Sequence, residues 1–251
     1  MTAPILPGAE PWSTGDSDAG VLVLHGFTGN PTSMRGVAEA LAAAGFSVEL
    51  PLLPGHGTSV EDMLPTRWED WSGAAEAAWR RLAGRCGRTA VVGLSMGGTL
   101  SCWLAANHPE IAGIAVVNPL VKAPDDAFRT AIRDLLEAGT PVAPGIGSDI
   151  AKPGAVESAY EGTPLEAVLS LFDAVAGLEP SLTAIACPVL LLSSRDDHVV
   201  EPASGDLLEQ AAGGPVERVW LERSYHVATL DWDAPVIEER VVGFARTVLG
   251  S

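Results

Sequence analysis

Four short stretches of the chain are apolar at consecutive positions: residues 21–24, 89–92, 114–117 and 188–193. Neighbouring side chains on a strand point to opposite faces, so a strand with no polar alternation is covered on both sides, as in the middle of a parallel sheet. Residues 46–53 and 216–221 predict two further strands. Between these runs the pattern changes to a one-sided helical one. Residues 33–44 place Val37, Leu41 and Ala44 on one face, with Gly45 as the stop. Residues 68–86 carry a stripe of Trp71, Ala75, Ala78, Trp79 and Leu82, and 203–212 and 234–249 predict the last two helices. Strand and helix in alternation predict an α/β fold, a mostly parallel central sheet with helices on both faces.

The alternation breaks once. Residues 120 to about 183 are longer than one crossover needs, and they hold two helical patterns, 125–138 and 165–176, around an irregular stretch at 140–153. Long excursions inside a compact domain are usually functional. The expected organisation is therefore one domain over 1–251 with a small cap inserted at about 120–183.

Composition narrows the classes. The 251 residues are 47% hydrophobic, enough for a large core. Lys and Arg number 15 against 32 Asp and Glu, a net charge of −17, which argues against nucleic acid and against docking on anionic membranes through basic patches. The N-terminal residues lack the basic and apolar regions of a secretory leader, and no 18 apolar residues run together, so neither export nor a membrane span is expected and the cytoplasm is the default. Cys86, Cys102 and Cys187 are far apart and read as buried thiols; their spacing suits no metal, and no cofactor is called for.

The candidate chemistry starts at residues 89–106. An apolar strand, Gly93-Leu94-Ser95-Met96-Gly97, and an apolar helix follow one another directly. That is the setting of a nucleophile elbow, in which a sharp turn holds a Ser above the sheet and glycines let strand and helix approach. The Met96 N–H at the helix start would face an anion. Such a Ser needs a base and an orienting acid at the carboxyl ends of other strands. His226 follows the 216–221 strand and comes last in the chain, as this elbow type requires. His25 and His56 read instead as loop braces, and His108 as a helix terminus. The acid lies in Ser194-Arg195-Asp196-Asp197-His198-Val199-Val200. Local pattern favours Asp197, which has apolar Val200 three residues on, over Asp196, which would have Val199 there. His25-Gly26-Phe27-Thr28-Gly29 follows the first strand and offers the Phe27 N–H as a second oxyanion donor.

These pieces resemble the α/β-hydrolase superfamily, and within it the bacterial monoacylglycerol lipases and related carboxylesterases of thermophilic bacilli. The resemblance rests on H-G-F-T-G at 25–29, G-H-G at 55–57, G-L-S-M-G-G at 93–98, D-D-H-V-V at 196–200 and S-Y-H-V-A-T-L-D at 224–231. It implies that the acid is Asp197 and that Glu157, in V-E-S-A-Y-E-G-T-P, sits at the glycerol end of the substrate. The activity implied is serine-dependent ester hydrolysis through an acyl-enzyme, with a monoacylglycerol or a short- to medium-chain ester as the small-molecule substrate. A ligand-binding protein on the same scaffold is the non-enzyme alternative. The cap is expected to make transient contact with a lipid surface. Its apolar residues Ile132, Leu135, Leu136, Val142 and Ile146 serve equally as an acyl channel or as packing.

Overall fold

The computed structural model describes residues 3–145 and 147–250. Strands β1 (Trp12–Thr14) and β2 (Ala19–Leu24) lead into helix α1 (Arg35–Ala43), strand β3 (Ser47–Leu50), the single turn α2 (Val60–Met63) and α3 (Trp68–Ala83). Strand β4 (Arg88–Leu94), α4 (Met96–Asn107) and β5 (Ile114–Val117) follow. After an excursion built of α5 (Asp126–Glu137), β6 (Val142–Pro144), β7 (Gly162–Pro164) and α6 (Leu165–Leu178), the alternation resumes with β8 (Val189–Ser194), α7 (Ala203–Ala211), β9 (Val216–Leu221) and α8 (Ala234–Leu249). Among the described residues the main sheet has seven strands in the order β1-β3-β2-β4-β5-β8-β9, parallel throughout except for β1.

The unbroken apolar runs have the expected cause. In β2, Leu22 and Leu24 join one core with Trp71, Trp79 and Leu82 of α3, whereas Val21 and Val23 join another with Val37 and Leu41 of α1 and Ile237 and Val241 of α8. The same division runs through β4, β5 and β8: Val91, Ile114, Val116, Val189 and Leu191 face the α3 side, and Val92, Ala115, Val117, Leu190 and Leu192 the α8 side. Each fully buried side chain of this size contributes roughly 1.5–3 kcal/mol relative to exposure. Both faces are dry, so neither can carry a polar alternation.

Three details differ from the pattern. The expected strand over 46–53 stops at Leu50, because Pro51 has no N–H for the ladder; the Leu53 N–H then donates to His25 Nε2 at 3.2 Å. The three-residue β1 carries no local signal and exists only by pairing Trp12 with Leu50 and Thr14 with Val48 at the sheet edge. The stretch read as irregular at 140–153 contains β6, which pairs with β7 across the excursion, Ala143 opposite Thr163.

Residues 165–184 form the one helical stretch, among the described residues, long and apolar enough to be weighed as a membrane span. Its apolar face is occupied by protein. Ala167, Leu171, Val175 and Leu178 of α6 enter the α3–α4 core, and Leu165, Val168 and Phe172 meet Ile132 of α5.

Candidate active site

Ser95 sits between β4 and α4 with φ 55° and ψ −115°, a left-handed conformation that a non-glycine residue holds only at a cost of order 1–3 kcal/mol. Its neighbours show why the sequence here is glycine. A Cβ built on Gly93 would fall on the Gly97 carbonyl, one on Gly97 would fall on the Leu24 carbonyl, and one on Gly98 would meet Pro119 at 2.8 Å. Strand, turn and helix are therefore in backbone contact. Ser95 N–H donates to Val117 O at 3.0 Å, which ties the turn to the end of β5 and leaves the side chain partly exposed at the carboxyl edge of the sheet.

His226 and Asp197 stand at the ends of β9 and β8. His226 Nδ1 lies 2.8 Å from Asp197 Oδ2, and both side chains are nearly buried. The other carboxylate oxygen of Asp197 accepts the N–H groups of Val199 (2.9 Å) and Val200 (2.8 Å), so the turn after β8 fixes the acid. Asp196 points into solvent. Of the two adjacent acids, Asp197 is the one brought to His226. Because a carboxylate only accepts, Nδ1 carries the proton and leaves Nε2 with its lone pair free.

The 25–29 loop lies against the elbow: a Cβ on Gly26 would be 3.4 Å from Ser95 Cβ. Among the described residues neither the Phe27 N–H nor the Met96 N–H has a protein acceptor. His25 braces this loop. Its Nε2 accepts from Leu53 N–H, so Nδ1 donates to Gly26 O at 3.0 Å. His56 Nδ1 donates to Pro54 O at 2.9 Å. Burial lowers His25 to about 3, helped by the charge of His56, and His56 to about 4, so both are neutral hydrogen-bonding struts. His108, at the end of α4, rests on Trp79 with ring centroids 4.2 Å apart.

Several residues that sequence reasoning passed over hold this arrangement. Asn118 follows β5 with φ 45° and is buried. Its Nδ2 donates to His226 O (2.8 Å) and Ser194 Oγ (2.9 Å), and its Oδ1 accepts Ser194 N–H (2.8 Å). It clamps three strand ends together. Its position just past a strand's carboxyl end was a usable signal. Asp231, within the quoted S-Y-H-V-A-T-L-D, accepts four backbone N–H groups: Ala151 and Lys152 from the excursion, and Tyr225 and Trp232 from the His226 loop. Asp149 answers from the excursion, accepting His226 N–H at 3.0 Å and binding His198 through both its N–H and its ring. Nothing local to Asp149 announces that role.

Ser95 and His226 open on a cavity of about 210 Å³ that is mostly apolar. Thr28, Asp149 and Glu157 stand near the reacting end, and Leu120, Phe128, Val168, Leu171 and Phe172 line the rest. Glu157 is held by neighbours that stitch the excursion to the loops below it. Its N–H donates to Ser148 Oγ, Tyr160 N–H donates to Thr28 O, and Tyr160 OH donates to Gly55 O. A Cβ on Gly29 would touch its carboxylate. Burial pushes the Glu157 carboxyl up to about 7, with His226 pulling it partly back. The residues expected as either channel or packing divide clearly. Ile132 and Leu136 pack under α6, Leu135 faces solvent, and Val142 is in the ribbon, so none of these four lines the cavity. Ile146 lies outside the described residues. The lining comes instead from Phe128 of α5 and the inner face of α6.

Residues 15–233 match the family model described as serine aminopeptidase, S33. The chain belongs to this hydrolase family. It is 44% identical over 245 residues to a thermostable monoacylglycerol lipase of Bacillus sp. (strain H-257), covering 96% of each chain, and 25% identical over 238 residues to a carboxylesterase of Bacillus subtilis (strain 168), covering 94% and 95%. A solved structure from the metagenome-derived lipolytic enzymes LipS and LipT superposes with a TM-score of 0.93 at 43% identity, covering 97% of this chain and 100% of that one. The fold is thus the α/β-hydrolase fold, as the sequence resemblance implies. The family model is described by a peptidase, whereas these two relatives, similar over nearly the full length, are named as a lipase and an esterase.

Proposed function

We propose that this protein is a serine hydrolase of carboxylic esters, with monoacylglycerols as its substrates. The observation that carries the reading is His226, paired with Asp197 at 2.8 Å, opening with Ser95 on one apolar cavity where the Phe27 and Met96 N–H groups have no acceptor among the described residues. In this mechanism Ser95 Oγ attacks the ester carbonyl while His226 Nε2 takes its proton. Asp197 holds the imidazole in the required tautomer and stabilises the imidazolium. The Phe27 and Met96 N–H groups receive the oxyanion, each donor being worth on the order of 3 kcal/mol. Collapse of the tetrahedral adduct expels the alcohol, which takes its proton from His226, and leaves the acyl group on Ser95. Water, deprotonated by the same His, then releases the fatty acid and restores Ser95.

Glu157 supplies the alcohol preference in this reading. Its carboxyl lies at the polar end of the cavity, beside the elbow loop, where a glycerol hydroxyl would need a partner. The excursion over 120–183 acts as the cap, and α6 and Phe128 give the acyl chain an apolar wall. A broader carboxylesterase is the second reading, favoured by the modest 210 Å³ of the cavity and by the esterase relative.

The deciding experiment is a substrate panel. Monoacylglycerols, triacylglycerols, p-nitrophenyl esters of graded length and aminoacyl anilides are compared by kcat/KM. Preference for monoacylglycerols over alkyl esters of equal acyl length supports the lipase reading, and equal rates favour the esterase. Cleavage of the anilides alone, or no labelling of Ser95 by a fluorophosphonate, overturns both.

A further inference from the structure

Beside the cavity lies a second concavity that the mechanism above does not use. It measures about 470 Å³, more than twice the first, and is bounded by the start of α5 and the residues after β8. Leu120, Pro124, Phe128, Val199 and Val200 line both spaces, so one layer of side chains separates them. Phe128 is the most open of the large side chains in that layer: 54% exposed, it touches Phe172 obliquely, with ring centroids 6.2 Å apart. The remaining floor is Ala123, and the exposed Lys122, Asp125 and Glu201 stand at the edge. The hydroxyl of Ser204 is already engaged by Pro119 O and the N–H groups of Val121 and Lys122. The trough therefore offers apolar contact from Leu120, Ala123, Pro124, Phe128, Val199 and Val200 between charged lips.

We propose that this trough is a second acyl subsite, which takes the distal half of a long fatty chain once it has passed Phe128. The inference rests on the ester-hydrolase reading and extends it to chain length. At about 30 Å³ per methylene-sized group, comparable to a water's share of the liquid, the inner cavity holds about seven carbons. A longer chain must leave it, and the shared wall is where the cavity adjoins further apolar surface. A fully buried methylene is worth about fourfold in affinity and a half-covered one about twofold. An open trough can thus raise kcat/KM for long chains without affecting short ones.

The test is kcat/KM across p-nitrophenyl esters and 1-monoacylglycerols from C4 to C16, measured on monomeric substrate. In the wild-type protein kcat/KM is expected to keep rising beyond C8. Glu201→Trp, filling the trough from its edge, should leave C4 to C8 within about twofold and lower C14 and C16 roughly tenfold. Phe128→Ala should shift the profile toward longer chains. A Glu201→Trp profile parallel to wild type, or lowered equally at every length, overturns the trough. C4 turnover reports whether the variant is folded, and Lys122→Trp from the opposite edge replaces it if it is not. If wild type cleaves no ester, the functional reading fails. Titration of Ser95→Ala with palmitate and octanoate then still reads the trough, and equal affinities would overturn it.

Discussion

The carboxylate of Asp149 accepts the backbone N–H of His226 at 3.0 Å. One residue of the excursion thereby holds the loop that carries the proposed base, while its other oxygen binds His198 Nδ1 at 2.8 Å. Asp231 makes the reciprocal connection, from the His226 loop back to Ala151 and Lys152. The excursion and the proposed catalytic loop are hence one hydrogen-bonded unit, and the placement of His226 depends on both.

Asp149→Ala should lower kcat about tenfold with a smaller change in KM, because the loop that carries His226 loses an anchor while the apolar walls of Phe128 and α6 remain. Asp149→Asn keeps an acceptor and should recover most of the turnover. The Asp149 hydrogen bond and charge raise His198 above its ordinary value. A raised histidine contributes stability that is present below its unfolded pKa and is lost as pH rises through the folded one. Either variant should therefore return His198 toward the ordinary range by NMR titration and reduce thermal stability at pH 6 more than at pH 9. An unchanged His198 titration would contradict the contact.

Asp197→Asn should cut kcat by about 10⁴-fold with the fold intact, since the amide fixes the wrong imidazole tautomer. Asp196→Asn, at an exposed side chain, should stay within twofold. Ser95→Ala should lose about 10⁵–10⁶-fold. Steady-state kinetics on one short ester checks all three, and more than a hundredth of wild-type turnover in Ser95→Ala removes it as the nucleophile.

Glu157→Gln should damage monoacylglycerol hydrolysis more than hydrolysis of simple alkyl esters. Its pH behaviour has a defined sign. The folded carboxyl, at about 7, lies above its ordinary value of 4.5, so its contribution to stability is present below about 4.5 and is lost as pH rises to 7 and beyond. The Gln variant should consequently melt higher than wild type at pH 8 and show no advantage at pH 4.5. Differential scanning calorimetry at the two pH values reads this directly.

Asn118→Ala removes the hydrogen bonds to His226 O and to Ser194 but keeps the strain of φ 45°, whereas Asn118→Gly removes both. Leaving buried groups unpaired costs about 1–3 kcal/mol. Denaturant unfolding should rank wild type above Gly and Gly above Ala, with kcat falling in both variants. Equal stability of Ala and Gly would mean that the backbone strain is negligible.

Much of this was legible in the chain. The strands of the sheet interior, β2, β4, β5 and β8, announce themselves because both their faces are buried, and α3 and α8 because only one is. The Gly93–Gly98 run reveals the elbow because no other residue tolerates those backbone approaches. What was not legible depends on partners far away in sequence. β1 and the β6–β7 ribbon are three-residue strands, too short for any period to show.

The sequence by itself determined the chemistry on offer: one Ser in a strained turn, a late His, a pair of candidate acids, and glycines where the backbones meet. These follow from local sterics and chain order, which a linear pattern records. The sequence favoured Asp197 over Asp196, and the tertiary structure adds the contact itself: the turn after β8 directs Asp197 at a histidine 29 residues on. Only the structure found the contacts of Asn118, Asp149 and Asp231, and gave the cavity lining to Phe128 and α6. Hydrogen-bond geometry and enclosed volume are properties of surfaces brought together by folding, and no stretch of chain holds both sides of such a surface.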